Sequence, residues 1–179
     1  ASDVNVMFQS LAGDRPIPWE WLVRDVVPEA REDLEAIVDL LDWEANTAPD
    51  FYERYFTPPI PAREEQAMEE EGYREVWVAY GSPYFSAKEL TVAPGRTVTI
   101  RDPEAYGVVA VQGYGRIGKL AVSTPAMIRF GEWTEDEFFV SRDAARAGVT
   151  IQNASRTEPL VLLKHFGPGH PEAPARRPA

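Results

Sequence analysis

The stretch from Tyr84 to Phe166 constrains the fold most, because short β-rich segments follow one another there with turn signals between them. Pro94-Gly95, Asp102-Pro103 and Gly113-Tyr114-Gly115 supply corners, and β-branched residues are frequent between them. The predicted strands are residues 76–80, 84–92, 97–101, 107–112, 116–122, 126–130, 136–140, 149–152 and 160–166. Short strands at this spacing predict a small antiparallel barrel or sandwich.

The chain before these strands has a different pattern. Residues 3–11 alternate apolar and polar side chains, which predicts a strand. From Pro28 onward, apolar residues recur at helical spacing, and Pro28 suits the first position of a helix. Residues 58–61 are rich in proline and predict an extended crossing segment. The predicted organisation is an N-terminal strand with a helical, proline-rich arm over residues 1–75, a barrel over 76–167 and a flexible tail over 168–179.

The net charge of −11 is concentrated in the arm. Residues 25–75 hold 16 Asp and Glu but only 4 Lys and Arg, so the rest of the chain is nearly neutral. Binding to a phosphate backbone needs clustered Lys and Arg on one face, which excludes nucleic acid as a partner. The acidic run at residues 64–71 lacks a regular ligand spacing and is typical of a solvated helical face.

The chain contains no cysteine, which excludes disulfides and thiolate metal sites. No apolar run approaches the roughly 18 residues that a membrane span needs. The first ten residues lack the basic-then-apolar order of a signal peptide. We therefore expect a cytoplasmic protein without a membrane partner.

Four features occur in a fixed order: the Pro94-Gly95 corner, a strand that ends in a glycine turn at 107–118, the strand at 136–140, and Asn153 before a polar turn and a final apolar strand. In this order they resemble the cupin superfamily, whose members are jelly-roll barrels of two β-sheets. The resemblance covers residues 84–167, about half of the chain. It implies a mainly β fold with a cupin-like jelly-roll barrel.

Cupins usually hold a divalent metal through an HxH pair and a Glu in the first motif and a His in the second. The resemblance places these four positions at Ile100, Asp102, Tyr106 and Val149. None is a histidine, and the chain's two histidines, His165 and His170, lie in the last strand and the tail. We therefore predict no metal and no cofactor in this barrel. A carboxylate-only site built from Glu89, Asp102 and Glu104 is the alternative.

An arm followed by a cupin barrel without these histidines is similar to the second barrel of two-barrel cupins related to phosphomannose isomerase and other sugar isomerases. The resemblance implies a supporting barrel, with the divalent metal in a companion domain and a small polar molecule, such as a sugar or sugar phosphate, as ligand. A non-enzymatic small-molecule-binding or oligomerisation module is the alternative. Because cupins pair through sheet edges and swapped arms, we expect a homodimer or pairing with another cupin barrel.

Sugar isomerisation requires a base that moves a proton and an electrophile for the carbonyl oxygen. The candidate catalytic bases are Glu89, Glu104 and His165. The candidate substrate-binding residues are Lys88, Arg101, Tyr106, Gln112 and Arg129. Because strand residues alternate between faces, only one of Lys88 and Glu89 can point inward. A hydrogen-bonded histidine near the barrel mouth is the alternative interpretation of His165.

Overall fold

The computed structural model describes residues 11–12, 15–16, 18–127 and 130–175. The chain divides into two compact units, residues 1–56 and residues 57–179. The sequence predicted a boundary at residue 75. The observed division instead places residues 57–75 in the same unit as the barrel. The predicted strand at 3–11 lies outside the described residues except for Leu11.

The first unit consists of short elements in its described part. They are β1 (Leu11–Ala12), β2 (Arg15–Pro16), α1 (Trp19–Leu22), a 3-10 helix (Pro28–Ala30), α2 (Leu34–Val38), α3 (Trp43–Asn46) and α4 (Phe51–Tyr55). The continuous helix predicted from Pro28 is therefore wrong. Asp33 accepts a hydrogen bond from the Ala36 backbone N–H at 3.1 Å, and Asp42 accepts one from Ala45 at 2.9 Å. Each aspartate thus caps the start of a new short helix.

The second unit contains two antiparallel sheets. Its elements are β3 (Ile60–Pro61), α5 (Glu65–Glu71), β4 (Tyr73–Ala79), β5 (Ser86–Val92), β6 (Thr97–Ile100), β7 (Tyr106–Gln112), β8 (Tyr114–Ile117), β9 (Leu120–Ser123), β10 (Glu137–Val140), α6 (Arg142–Ala147), β11 (Val149–Asn153) and β12 (Leu160–Phe166). The strand orders are β10-β7-β12-β5-β4-β3 and β6-β11-β8-β9. From β5 to β12 the chain distributes its strands between two facing sheets in the jelly-roll order. The predicted mainly β jelly-roll is therefore confirmed.

Two predicted strands differ from the structure. The predicted strand at 116–122 is a hairpin of β8 and β9, because Gly118 adopts φ 58° and turns the chain between them. The predicted strand at 126–130 is absent at residues 126, 127 and 130, and residues 128 and 129 lie outside the described part. Pro125, just before this segment, lacks the backbone N–H that a ladder requires.

The side chain of Asn153 holds the polar turn that precedes the last strand. Its buried side-chain amide donates to the Val92 carbonyl at 3.0 Å and to the Glu158 carbonyl at 2.8 Å. Its oxygen accepts the Ser155 backbone N–H at 2.9 Å. Asn153 therefore joins the turn before β12 to the end of β5 and satisfies backbone groups that water cannot reach.

The inner face of the barrel changes character along β5 and β12. Leu162 lies opposite Leu90, Lys164 opposite Lys88, and Phe166 opposite Ser86, and all six side chains are buried. His165, between two of these residues, is exposed because alternate residues of a strand face opposite sides. The interior thus passes from an apolar layer to a charged layer and then to a final row formed by Ser86, Phe166 and Tyr106. We call the end of the barrel at this row the mouth.

None of the helices in the described part of the chain combines the length and the apolar character that crossing a bilayer requires.

Candidate functional site

Four charged side chains meet inside the barrel, and we call them the ion network: Glu75, Lys88, Asp102 and Lys164. The Lys164 ammonium donates to Glu75 Oε1 and to Asp102 Oδ2, both at 2.5 Å. The Lys88 ammonium donates to Asp102 Oδ1 at 2.7 Å and lies 3.6 Å from Glu75 Oε2. Glu75, Lys88 and Lys164 lie on adjacent strands of one sheet, and Asp102 follows β6 of the other. The network therefore connects the two sheets.

The ion network is electrically neutral and almost inaccessible to water. None of its four residues exposes more than 5% of its surface. Burial alone lowers the pKa of Lys88, but the carboxylates of Glu75 and Asp102 oppose this effect and hold that pKa above its usual value. Lys88 is thus a permanent cation at neutral pH and cannot serve as a general base.

Aromatic rings surround the two ammonium groups. Lys88 Nζ lies 4.6 Å from the centre of the Trp77 ring, and Lys164 Nζ lies 4.9 Å from that of Tyr106. The Phe166 ring lies within 6 Å of both, so each cation faces aromatic rings as well as carboxylates. Burial and the nearby charges of Asp102 and Glu75 raise the pKa of the Tyr106 phenol far above its usual value. Tyr106 therefore keeps its proton.

The described part of the predicted tail, residues 168–175, packs over the mouth of the barrel. The buried His170 ring lies 4.5 Å from the Phe166 ring and 5.0 Å from the Trp77 ring. His170 Nδ1 accepts the Glu172 backbone N–H at 3.2 Å. Glu172 Oε2 lies 3.9 Å from Lys88 Nζ, while 61% of the Glu172 side chain remains exposed. This segment consequently brings a histidine and a carboxylate to the network.

Three buried polar atoms at the mouth have no hydrogen-bond partner among the described residues. They are Ser86 Oγ, Tyr106 OH and His170 Nε2. Ser86 and Tyr106 lie on either side of Phe166 in the sheet register, and the His170 ring packs against Phe166. The three atoms thus belong to one small region next to the ion network. Buried polar groups are normally paired, so a cluster of three is a feature that needs an explanation.

The structure separates the residues that the sequence proposed for a site. Lys88 and Tyr106 lie inside the barrel at the ion network. The other positions described do not converge: Glu89 lies 3.8 Å from Arg74 on the outer face, Glu104 Oε2 lies 2.5 Å from Arg142, and His165, Arg101 and Gln112 are exposed. Arg129 lies outside the described residues. Among the described residues, the three candidate bases therefore lie away from Lys88 and Tyr106.

Sequence reasoning missed Glu75, Lys164 and His170. Lys164 carried a usable signal, because it is the one charged residue on the face of β12 that holds Leu160, Leu162 and Phe166. Glu75 alternates with Tyr73 and Trp77 in β4, but the predicted strand began one residue later and left Glu75 in the acidic arm. His170 follows a proline and glycine turn without any periodicity, so no pattern indicated its burial.

The residues present do not fit the metal centre of cupins. Ile100 and Val149 offer no ligand atom, and the Tyr106 phenol keeps its proton. Asp102, His170 and Glu172 each place one ligand atom within 4.8 Å of the others. However, both Asp102 oxygens already accept hydrogen bonds from ammonium groups, and a divalent cation there would lie beside Lys88. This arrangement disfavours a metal, because like charges repel strongly in a buried site.

The comparisons with known proteins find similarity in solved structures alone. No model of a known protein family and no curated protein matches the chain. A cupin-2 domain from Rhodospirillum rubrum is 18% identical with a TM-score of 0.42, over 70% of this chain and 79% of that one. A cupin 2 domain-containing protein from Halorhodospira halophila is 20% identical with a TM-score of 0.41, over 67% and 84%.

A chain from the complex of Rhodobacter sphaeroides SigE with the anti-sigma ChrR is 14% identical with a TM-score of 0.40. The match covers 54% of this chain and 44% of that chain. Cupin barrels are thus among the solved structures that the chain is similar to. The fold assignment itself rests on the strand order of the two sheets.

Because His170 is buried, we predict that the free energy of unfolding falls on mild acidification. Burial first, and then the charge of Lys88, hold the pKa of His170 below its usual value. The unfolded chain therefore takes up this proton at a higher pH than the folded chain, and stability decreases as the pH falls below about 6.5. Between about pH 8 and about pH 5.5 we expect a fall of a few degrees in the thermal midpoint, which His170→Gln reduces.

The matched control for this prediction is His165→Gln, because His165 is exposed on β12. His165→Gln should leave the pH dependence of the thermal midpoint unchanged. Equal pH dependence in the parent and both variants would mean that His170 titrates normally.

Proposed function

We propose that this barrel is a non-enzymatic small-molecule-binding module in which the ion network replaces the metal centre of the cupins. The observation that carries the proposal is Lys164, whose ammonium lies between the carboxylates of Glu75 and Asp102. A cation supplied by the protein itself neutralises these carboxylates. The barrel therefore keeps a polar interior that does not depend on a metal.

Among the described residues, the placement of the candidate bases Glu89, Glu104 and His165 favours binding over catalysis. The cations of the network are held in ion pairs, Tyr106 keeps its proton, and the candidate bases lie elsewhere on the barrel. Proton transfer requires a base within hydrogen-bond reach of the substrate. The supporting role in a sugar isomerase, with a metal in a companion domain, stays a prediction that the resemblance implies.

The oligomerisation alternative has one observation in its favour. A groove of about 770 Å³ beside the edge strand β10 is lined in part by Leu120, Trp133 and Phe139, all largely exposed. Exposed apolar surface of this kind is typical of an interaction site. The expected homodimer therefore stays a proposal, and light scattering at micromolar concentration tests it: a monomer at that concentration contradicts it.

Metal analysis of the purified chain tests the proposed function. We expect well under one equivalent of zinc, iron, manganese or nickel per chain, and the same thermal midpoint with a chelator as with added metal. His170→Gln serves as the matched variant, because a metal on Asp102, His170 and Glu172 would lose a ligand in it. Stoichiometric metal in the parent that falls in His170→Gln would overturn the proposal.

A further inference from the structure

We propose that the mouth of the barrel binds a small carboxylate and that the side chain of Glu172 competes with this ligand for Lys88. The inference rests on the proposed function, because it names the ligand class of the same barrel. Its basis is the group of unpartnered polar atoms around Phe166 and the position of Glu172 at the edge of the ion network.

All three unpartnered atoms are hydrogen-bond donors. The Tyr106 phenol keeps its proton, and the Ser86 hydroxyl can rotate its proton toward an acceptor. His170 Nδ1 accepts the Glu172 backbone N–H, so the neutral ring carries its proton on Nε2. Three buried donors without an acceptor favour a ligand with acceptor atoms. The carboxylates that could accept from a sugar hydroxyl already receive hydrogen bonds from Lys88 and Lys164.

The charges at the mouth are compatible with one singly charged negative group beside Lys88. The four members of the ion network balance each other, and Glu172 adds a negative charge close to Lys88 Nζ. When Glu172 turns out to solvent, a ligand carboxylate can take its place with no change in total charge. A doubly charged phosphate would instead bring an uncompensated charge to a site that already holds two carboxylates.

Glu172 is held weakly enough to be displaced. Its 3.9 Å contact with Lys88 is longer than the hydrogen bonds within the network, and most of its side chain faces water. A contact at this distance, in which the carboxylate faces water although Lys88 is buried, contributes little stability. As part of the same chain, however, Glu172 has a high effective concentration at Lys88 and lowers the apparent affinity for a free ligand.

Titration of the chelator-treated chain with acetate and glycolate tests the inference, and acetamide serves as the uncharged probe of the same size. Bound carboxylate raises the thermal midpoint, by an amount that grows with the logarithm of the ratio of its concentration to its dissociation constant, and calorimetry gives that constant. We expect acetate and glycolate to bind in the millimolar range and acetamide not to bind. Glu172→Gln should bind acetate about 3- to 10-fold more tightly, because the competitor is removed. Glu158→Gln, an exposed control, should match the parent.

Tyr106→Phe separates ligand binding from a structural role. Because the Tyr106 hydroxyl has no partner within the described part of the chain, its removal should hardly change stability. Acetate affinity should nevertheless fall about 10-fold or more, because the one hydrogen bond that the phenol can donate to the charged ligand is lost. Tyr114→Phe changes an exposed tyrosine and should leave the affinity unchanged.

No acetate binding in either the parent or Glu172→Gln would overturn the inference, as would equal affinities for Tyr106→Phe and Tyr114→Phe. Failure of this inference leaves the metal content of the chain unaffected. Failure of the proposed function appears in the metal analysis before any carboxylate is added, so the two failures are distinguishable.

Discussion

Lys164→Met will lower the free energy of unfolding by about 3–5 kcal/mol. The Lys164 ammonium is fully buried and donates to carboxylates from both sheets, so its removal leaves Glu75 and Asp102 with Lys88 as their only cation inside the barrel, among the described residues. A buried charge that loses its partner keeps its desolvation penalty without the compensating attraction. Urea denaturation followed by circular dichroism measures the change.

The matched control is His165→Met, one position further along β12. His165 is exposed on the outer face, so the same replacement side chain there should change stability by about 0.5 kcal/mol or less. A loss below about 1 kcal/mol for Lys164→Met would contradict the assigned role of Lys164 in the ion network.

Replacing the entire ion network by apolar residues will recover most of the stability that Lys164→Met loses. We expect the combined variant Glu75→Met, Lys88→Met, Asp102→Leu and Lys164→Met to unfold within about 2 kcal/mol of the parent. No charge then remains unpaired in the interior, and the replacements add buried apolar surface. The individual losses will therefore be strongly non-additive, as is usual for residues in one network.

The combined variant also separates stability from function. If the network serves ligand binding, this variant should fold and yet fail to bind acetate, because the Lys88 ammonium is missing. The comparison is urea denaturation and calorimetry on the same preparations. A combined loss equal to the sum of the four single losses would show that the charges contribute independently, against the interpretation as one network.

Alternation along strands predicted the geometry of the barrel well. Alternation along residues 160–166 puts Leu162, Lys164 and Phe166 on one face and His165 on the other, and the burial pattern of β12 agrees with this division. Strand spacing and turn signals likewise predicted a small antiparallel barrel or sandwich, because each corner depends on a local residue choice such as Gly113 at φ 89°. These features are local, so a sequence shows them directly.

The candidate site could not be predicted to the same extent, because its parts are distant in sequence. Glu75 and Lys164 are 89 positions apart, and neither residue alone indicates the hydrogen bond between them. A charged residue on an apolar strand face signals a buried partner but does not name it. Histidine drew attention to His165 because of its usual chemistry, whereas the neighbouring lysine is the residue that the fold buries.

The continuous helix predicted from Pro28 failed for a related reason. Its apolar spacing was correct for a helix, but Asp33 and Asp42 offer side-chain oxygens that compete for backbone N–H groups and start new turns. Apolar periodicity carries no information about this competition. Because α2 and α3 contain no buried residues, the N-terminal caps determine where these short helices begin.

The central position of β12 has a consequence for biosynthesis. This strand lies between β5 and β7 and supplies Lys164, yet it is the last strand of the barrel to leave the ribosome. Until then a nascent chain holds Glu75 and Asp102 without Lys164, which donates to both, and has a gap between β5 and β7. Because such long-range pairing closes slowly, we expect the barrel to fold only after translation of Phe166, and its unpaired strand edges to be prone to aggregation until then.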